Sequence, residues 1–392
     1  MLPMAIFVLF NLLIDSYIYR ALKRRCKAKW PAVVQWWSAA VLYMVVLGVL
    51  ALPFKSGSNQ TLLVVMWTVF GYFSIYIPKY LFVIFDLLAR VPKLFGRRRL
   101  KWLSLTGAVV SCVVFILFWW GALINRFRLD VKEVEIPMAG LPAQFDGYRI
   151  VQLSDLHTGT YGNDTTFVSR LVDEVNRLDA DLIVFTGDIV NRRSDELTPF
   201  VRPLSRLRAR DGVISILGNH DYGDYAVWAS DSLKQENMQL LLDMQRDMHW
   251  DLLLNDTRFI RRGESDSIAV IGVENIGDPP FHVYGSLPKA YPNTGDSVVK
   301  ILLSHNPAHW TDDISNHSAH NIGLTLSGHT HAMQMSAGRI SPAVFRYPTW
   351  GGLYADADST HLLYVNIGEG TVGMPARIGA TPEITLITLK KK

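Results

Sequence analysis

Five short clusters of Asp, Asn and His punctuate the second half of the chain, each just after a run of strand-forming apolar residues. They are Ser154-Asp155-Leu156-His157, Gly187-Asp188, Gly218-Asn219-His220-Asp221, Ser304-His305-Asn306 and Gly328-His329-Thr330-His331. In α/β sheets, ligands gather beyond the carboxyl ends of the strands, so donors released at such ends predict one shared metal site. Asp155 and His157 are two residues apart, as are His329 and His331, and in extended chain such residues point to the same side. The oxygen and nitrogen donors are Asp155, His157, Asp188, Asn219, His305, His329 and His331. They exceed what one tetrahedral ion takes from protein, which favours two ions bridged by a carboxylate and a solvent oxygen. Two ions ~3.5–4 Å apart suit in-line displacement at phosphorus. The mixed carboxylate, amide and imidazole set suits Mn, Fe, Zn or Co better than Mg alone.

Positioning these groups requires an alternation of strands and helices. Strands are predicted over 148–153, then up to Asp188 and up to Asn219, and later over 257–261, 267–273, 298–303, 322–326, 362–367 and 383–389. Phe167, Leu171, Val172, Val175 and Leu178 recur at helical spacing, predicting a helix over 166–178; further helices are expected over 196–208 and 224–248. The pattern predicts a layered α/β fold with more strands than helices late in the chain. Residues 125–147, broken by Pro137, Gly140, Pro142 and Gly147, read as a tether.

The first 125 residues are of a different kind. Four apolar stretches, 2–19, 33–52, 62–87 and 102–124, each approach the ~20 residues needed to cross a bilayer. No Lys or Arg precedes the first and a basic cluster follows it, so it reads as an anchor and not a cleaved signal peptide. Lys23, Arg24, Arg25, Lys27 and Lys29 fill the first loop; Arg90, Lys93, Arg97, Arg98, Arg99 and Lys101 fill the third; Lys55 stands alone in the second. The positive-inside rule puts the first and third loops in the cytoplasm and everything after the fourth span outside. Asp15 and Asp86 fall near the cytoplasmic span ends, where interfacial placement is expected and pairing inside the bundle is the alternative.

Charge divides along the same line. Residues 1–125 hold 14 Lys plus Arg against 2 acidic residues, whereas 126–392 hold 25 against 33. A nucleic-acid-binding surface would want positive charge in the second part, so nucleic acid is excluded as a partner. Both cysteines, Cys26 and Cys112, lie in the first part, leaving no disulfide or thiolate metal site in the second.

The ordered series Asp155-x-His157, Gly187-Asp188, Gly218-Asn219-His220-Asp221, His305 and Gly328-His329-x-His331 resembles the calcineurin-like metallophosphoesterase family. The stretches Leu141-Pro142 to Gly147-Tyr148-Arg149-Ile150, and Pro375-Ala376-Arg377 to Pro382-Glu383-Ile384, are similar to its membrane-anchored YkuE/YaeI-like phosphodiesterase branch. The resemblance implies a four-layer αββα sandwich of two mixed sheets. It implies that Asp155, His157 and His331 hold one metal, that Asn219, His305 and His329 hold the other, and that Asp188 bridges them. It also implies that His220 acts at the phosphoryl group with Asp221 orienting its ring. The chain departs from the family pattern at Ala332 and Met333, where two glycines are usual.

The resulting expectation is a spanning region over 1–125, a tether over 126–147 and a catalytic domain over 148–392. The chain would hydrolyse a phosphoester, preferably a diester, on the extracytoplasmic side, with a lipid or envelope component as substrate. A phosphomonoesterase or pyrophosphatase with the same site, and a non-catalytic membrane sensor, are the alternatives. Glu274 and Asn275 are expected behind the site; Trp228, Met238, Leu241, Met244 and Met248 are expected on a helix packed against a sheet. The 351–354 segment is expected as a loop at the rim. His249, His282, His309, His317, His320 and His361 match no motif and read as surface or satisfied histidines.

Overall fold

A computed structural model describes all residues except 1, 26, 54, 264, 293, 295–297 and 316–320, so Cys26, His317 and His320 lie outside the described residues. The chain divides into two compact units, Met1–Ala122 and Leu123–Lys392.

The first unit consists of four helices, α1 (Leu2–Arg25), α2 (Trp30–Leu50), α3 (Asn59–Leu88) and α4 (Lys101–Leu123). Large apolar side chains such as Trp37, Met44, Leu105 and Ile116 are exposed along them, which is the pattern of helices solvated by lipid. Among the described residues three segments, Trp30–Leu50, Asn59–Phe95 and Lys101–Phe127, are long and apolar enough to cross a membrane. α1 is comparably long but carries Asn11 and Asp15. Gly107 lets α4 approach α3, since a Cβ there would overlap Phe85, and Ser111 Oγ donates to the Pro78 carbonyl at 2.8 Å.

Asp15 and Asp86 are both fully buried and make the pairing inside the bundle that was the alternative expectation. Asp15 accepts from Gln35 Nε2 (2.8 Å) and Tyr43 OH (3.1 Å) on α2, and from Tyr76 OH (2.6 Å) and Lys79 Nζ (2.8 Å) on α3. Asp86 accepts from Tyr17 OH on α1 (2.5 Å), from Arg90 Nη2 (2.9 Å) and from Arg99. A carboxylate in an apolar bundle is costly unless neutralised and hydrogen-bonded, and these contacts supply both conditions.

The second unit is built on two six-stranded sheets. The first runs β1-β12-β2-β3-β4-β5, from β1 (Asp130–Met138), β2 (Arg149–Leu153), β3 (Leu182–Phe185), β4 (Val213–Ser215), β5 (Trp250–Leu252) and β12 (Glu383–Lys391). The second runs β10-β11-β9-β8-β7-β6, from β6 (Asp256–Arg262), β7 (Asp266–Gly272), β8 (Val299–Leu303), β9 (Ile322–Ser327), β10 (Gly352–Ala355) and β11 (Leu362–Val365). Both sheets are mixed: β2 to β5 are parallel with β12 antiparallel beside β2, and β7, β8, β9 and β11 are parallel with β6 and β10 as antiparallel edges.

Alternation along the strands makes the layers. Leu182 and Val184 of β3 join Ile150, Val270, Ile301 and Leu324 in a core between the sheets. Ile183 and Phe185 face the other way, into a core with α5 (Thr166–Arg177) and α7 (Asp231–Asp247). A third core covers the outer face of the second sheet with Trp310, Ile314 and Leu287. The four-layer sandwich of two mixed sheets is thus present.

Three elements differ from expectation. The stretch read as a tether contains β1, nine residues in register with β12 from Asp130↔Glu383 to Met138↔Lys391. Pro137 does not break it, because β1 is an edge strand whose outer side needs no ladder donor. The helix expected over 196–208 is a 3₁₀ run (Ser194–Phe200) followed by the single turn α6 (Val201–Leu204), since Pro199 and Pro203 remove backbone donors. Residues 352–355, expected as loop, form the edge strand β10. On α7 and beyond, Leu241, Met244 and Met248 are buried in the sheet-facing core and Met238 packs against it, as its amphipathic pattern requires.

Candidate metal centre

The two sheets bring their strand ends to one place. β2 runs into Asp155 and His157, β3 into Asp188 and β4 into Asn219 and His220, while from the other sheet β8 runs into His305 and β9 into His329 and His331. Asp155, His157 and His331 form one group and Asp188, His305 and His329 a second, with the ligand atoms of each within 4.8 Å of one another. In the first group, His331 Nε2 is 3.0 Å from His157 Nε2 and 3.2 Å from Asp155 Oδ1. In the second, His329 Nδ1 is 3.3 Å from His305 Nε2. Asp188 stands between them, its Oδ2 3.1 Å from His305 Nε2 and 3.6 Å from His157 Nε2.

Convergence does not come from the extended chain assumed for the pairs two residues apart. Asp155, His157, Asp188, His329 and His331 all have positive φ, between 47° and 73°. The chain therefore turns left-handed just past the ends of β2, β3 and β9, and His329 and His331 part into different groups. Such backbone costs on the order of 1–3 kcal/mol per residue and persists where surrounding contacts over-determine it. Glycine allows the close approach: a Cβ on Gly218 would overlap Asp188 Oδ1, and one on Gly328 would overlap Asp155 Oδ2. At the departure from the family pattern, Ala332 and Met333 hold φ 51° and 47° without being glycine; Ala332 is buried and Met333 exposed.

The polar shell leaves specific atoms bare. Asp155 Oδ2 accepts from Ser154 Oγ (2.6 Å) and the His329 amide (2.9 Å), yet its buried Oδ1 has no hydrogen-bond partner. Asn219 Nδ2 donates to Tyr225 OH at 2.9 Å, and its buried Oδ1 is likewise unpartnered. Buried acceptors are ordinarily satisfied, so bare oxygens among facing imidazole nitrogens are the arrangement a cation completes. His305 donates Nδ1–H to the Thr186 carbonyl (2.7 Å), and His329 Nε2 meets Tyr347 OH (2.9 Å), which leaves His305 Nε2 and His329 Nδ1 turned toward the group. The residues fit a dinuclear metal centre.

Electrostatics reinforce this fit. Burial opposes charge on Asp188, but the imidazoles of His305, His220 and His157 hold its carboxyl well below the usual carboxylate range. Burial also opposes charge on His305, and the neighbouring Asp188 carboxylate overrides it, pushing the imidazole up to about 9. His329 goes the other way, down to about 3, through burial and the nearby His305. An anionic carboxylate flanked by imidazoles of divergent basicity is a high-field site for cations.

His220 lies beside the groups, its amide donating to Asp188 Oδ1 (2.8 Å) and its ring stacked on Tyr225 with centroids 4.1 Å apart. The expected partner of its ring is different, however. Asp221 accepts four backbone amides, from Asp188 (2.9 Å), Ile189 (3.0 Å), Val190 (3.3 Å) and Gly218 (2.8 Å), while His220 donates Nδ1–H to the Asn191 carbonyl at 2.6 Å. Asp221 therefore fixes the two loops that carry Asp188 and Asn219, and a main-chain oxygen orients the imidazole. Four amide donors saturate both carboxylate oxygens, leaving none for the ring.

Residues without a role in the sequence reading complete the surroundings. Arg377, fully buried, donates to the carbonyls of Gly370 (2.7 Å), Ile367 (2.9 Å) and Ala380 (3.2 Å), and its Nη2 lies 3.2 Å from His331 Nδ1. Its only signal was its place in the Pro375-Ala376-Arg377 motif. Glu369 accepts from the Ser154 amide (3.1 Å), and burial pushes its carboxyl well above the usual range. Neither Glu369 nor Asn191 carries a local pattern. Glu274 and Asn275 are members of neither group: Glu274 accepts from Asn255 and Tyr222, and Asn275 Nδ2 donates to the His282 carbonyl at 2.9 Å.

Membrane-crossing helices and two mixed sheets sharing a paired Asp/His centre define a membrane-anchored metal-dependent phosphoesterase. Residues 1–126 match the family model described as "Probable Calcineurin-like phosphoesterase, transmembrane domain", and residues 148–333 match "Calcineurin-like phosphoesterase". The chain is 33% identical over 273 residues to "Uncharacterized metallophosphoesterase YkuE" of Bacillus subtilis, covering 68% of this chain and 87% of that one. It is 32% identical over 292 residues to "Transmembrane protein with metallophosphoesterase domain" of Bos taurus, covering 74% of this chain but only 63% of that relative's length. It is 27% identical over 324 residues to "UDP-2,3-diacylglucosamine pyrophosphatase LpxG" of Chlamydia trachomatis, covering 69% of this chain and 93% of the relative. The chain belongs to the calcineurin-like metallophosphoesterase family and is an integral membrane protein with several N-terminal spans.

Proposed function

We propose that the chain is an extracytoplasmic phosphodiesterase whose substrate is a phosphoester held in, or close to, the membrane. Asp188 carries this reading, because one carboxylate serving two Asp/His groups is the arrangement that a dinuclear hydrolase needs. In this assignment Asp155, His157 and His331 hold one divalent ion, Asn219, His305 and His329 hold the other, and Asp188 is shared. Mn, Fe, Zn or Co suits the donor set. Bound there, such ions supply Lewis acidity toward phosphoryl oxygens and acidify water. The chain's own residues do the rest. With Nδ1–H given to the Asn191 carbonyl, His220 presents Nε2, from which a proton can pass to the departing alkoxide. Tyr225, stacked on that ring, limits its rotation. Placement outside the cytoplasm rests on the basic first and third loops. A pyrophosphatase reading is favoured by one observation, the similarity to the Chlamydia UDP-2,3-diacylglucosamine pyrophosphatase.

Full-length protein in detergent, supplied with Mn, is expected to cleave a bis-aryl phosphodiester faster than the aryl monoester and to bind two metals per chain. Asp188→Asn should lower turnover by more than the roughly 10–100-fold typical of residues that only support a ligand. Faster cleavage of a nucleotide-sugar pyrophosphate would move the assignment to the second reading; two bound metals without turnover on any ester would end the enzyme reading. A C-terminal reporter active only outside the cytoplasm tests the orientation.

A further inference from the structure

The segment joining β9 to β10 follows the metal-group histidines and differs in character from the rest of the second unit. From Met333 to Tyr354 it contains two arginines and no acidic residue, in a unit where acidic residues outnumber basic ones. It also holds five of the thirteen large apolar side chains exposed on that unit among the described residues, namely Met333, Ile340, Val344, Phe345 and Leu353. Scattered exposed hydrophobics need no explanation, but this concentration does. Phe345 is 92% exposed and Ile340 76%.

These side chains occupy two tips on an anchored base. One tip is the turn Gly338-Arg339-Ile340, closed by a bridge between Ala337 and Ile340. The other ends the 3₁₀ turn Pro342–Phe345 and continues into Arg346. Each tip thus sets a bare apolar side chain next to a guanidinium. Arg346 also meets Asp278 and the Pro279 carbonyl, which fixes its direction, and Arg339 is exposed. Beneath them, Ser341 Oγ donates to the Ala332 carbonyl (2.7 Å), Ala343 is buried, and Tyr347 reaches His329. Folding energy is therefore spent on holding Ile340 and Phe345 out in solvent.

We propose that this segment is a wedge that inserts Ile340, Val344 and Phe345 into an anionic phospholipid surface, with Arg339 and Arg346 on lipid phosphates. Apolar and aromatic tips beside arginine match the boundary between acyl chains and headgroups. A bilayer is always at hand, since the chain carries its own membrane helices and only six residues separate α4 from β1. The wedge rests on the proposed function in one respect: through Tyr347 and His329, it would present the metal centre to a phosphoester in that same bilayer.

The test uses the full-length chain with Cys26→Ser and Cys112→Ser, carrying an environment-sensitive fluorophore through Phe345→Cys. A control carries it through Gln235→Cys on the exposed face of α7. In nanodiscs of phosphatidylcholine containing phosphatidylglycerol, the probe at 345 should emit blue-shifted light, resist iodide and be quenched by shallow nitroxide lipids, while that at 235 should not. Water-like emission and full iodide access at 345 would overturn the wedge, as would shielding that needs a second copy of the chain. Activity gives an independent arm. Ile340→Asp with Phe345→Asp should lower cleavage of a hexadecyl nitrophenyl phosphate in anionic vesicles by roughly ten-fold or more, and leave soluble methyl nitrophenyl phosphate unchanged. Equal loss on both esters would also overturn it. If the unaltered protein cleaves neither ester, the proposed function fails and fluorescence alone decides the wedge.

Discussion

Several side chains around the metal centre act through backbone. Asp221 shows this most clearly, since its carboxylate gathers amides from the two loops that carry Asp188 and Asn219 and touches no imidazole. Asp221→Asn replaces one acceptor oxygen by a donor NH₂ facing N–H groups. It should cost roughly 1–3 kcal/mol of stability through unsatisfied amides, and should weaken metal affinity about 10–100-fold. Chemical denaturation and metal titration check the two values. A drop in turnover with stability and metal affinity intact would restore the role of ring orienter. Arg377 belongs to the same kind: its buried guanidinium is spent on three carbonyls and on Nδ1 of His331.

Secondary elements meet two different demands. In the catalytic unit, strands must stop abruptly so that left-handed turns can follow, and the glycines packed against Asp155 and Asp188 make room for that. In the membrane unit, helices must accept two carboxylates. Asp15 joins α1 to both α2 and α3, whereas Asp86 joins α3 to α1 and, through Arg99, to the start of α4. Lys79→Met leaves Asp15 buried with its cation removed, so it should destabilise the bundle by about 3–5 kcal/mol. Adding Asp15→Asn to that change should recover much of the loss. Unfolding of the full chain in mixed micelles measures both, and a double variant no better than the single one would show that the tyrosines and Gln35 hold Asp15 without its ion pair.

Across the whole molecule, the metal centre belongs to neither sheet alone. One sheet supplies Asp155, His157 and Asp188, and the other supplies His305, His329 and His331, so ions held by these groups would tie the sheets together. Mn at a hundred times its Kd should therefore stabilise the catalytic unit by about 2.7 kcal/mol, and chelation should remove that increment. Calorimetry resolves it as a shift confined to one of two transitions. A chelator that moves both transitions equally, or neither, would argue against ions bridging the sheets.

The order and chemistry of the motifs, the apolar spans and the split of charge were legible in the sequence because each is local: a donor after a strand, a run of one polarity, a charge count. Sequence also supplied the six Asp and His donors that the strand ends bring together in two groups. What it could not supply depends on long-range pairing. Residues 130–138 become a strand only because β12, some 250 residues later, offers an edge. Asp15 and Asp86 are buried because partners from other helices reach them, and Asp221 serves amides instead of a ring because its loop packs beneath Asp188. That His329 and His331 part into different groups was settled by positive φ past the end of β9, a conformation that non-glycine residues adopt only when tertiary contacts hold them there.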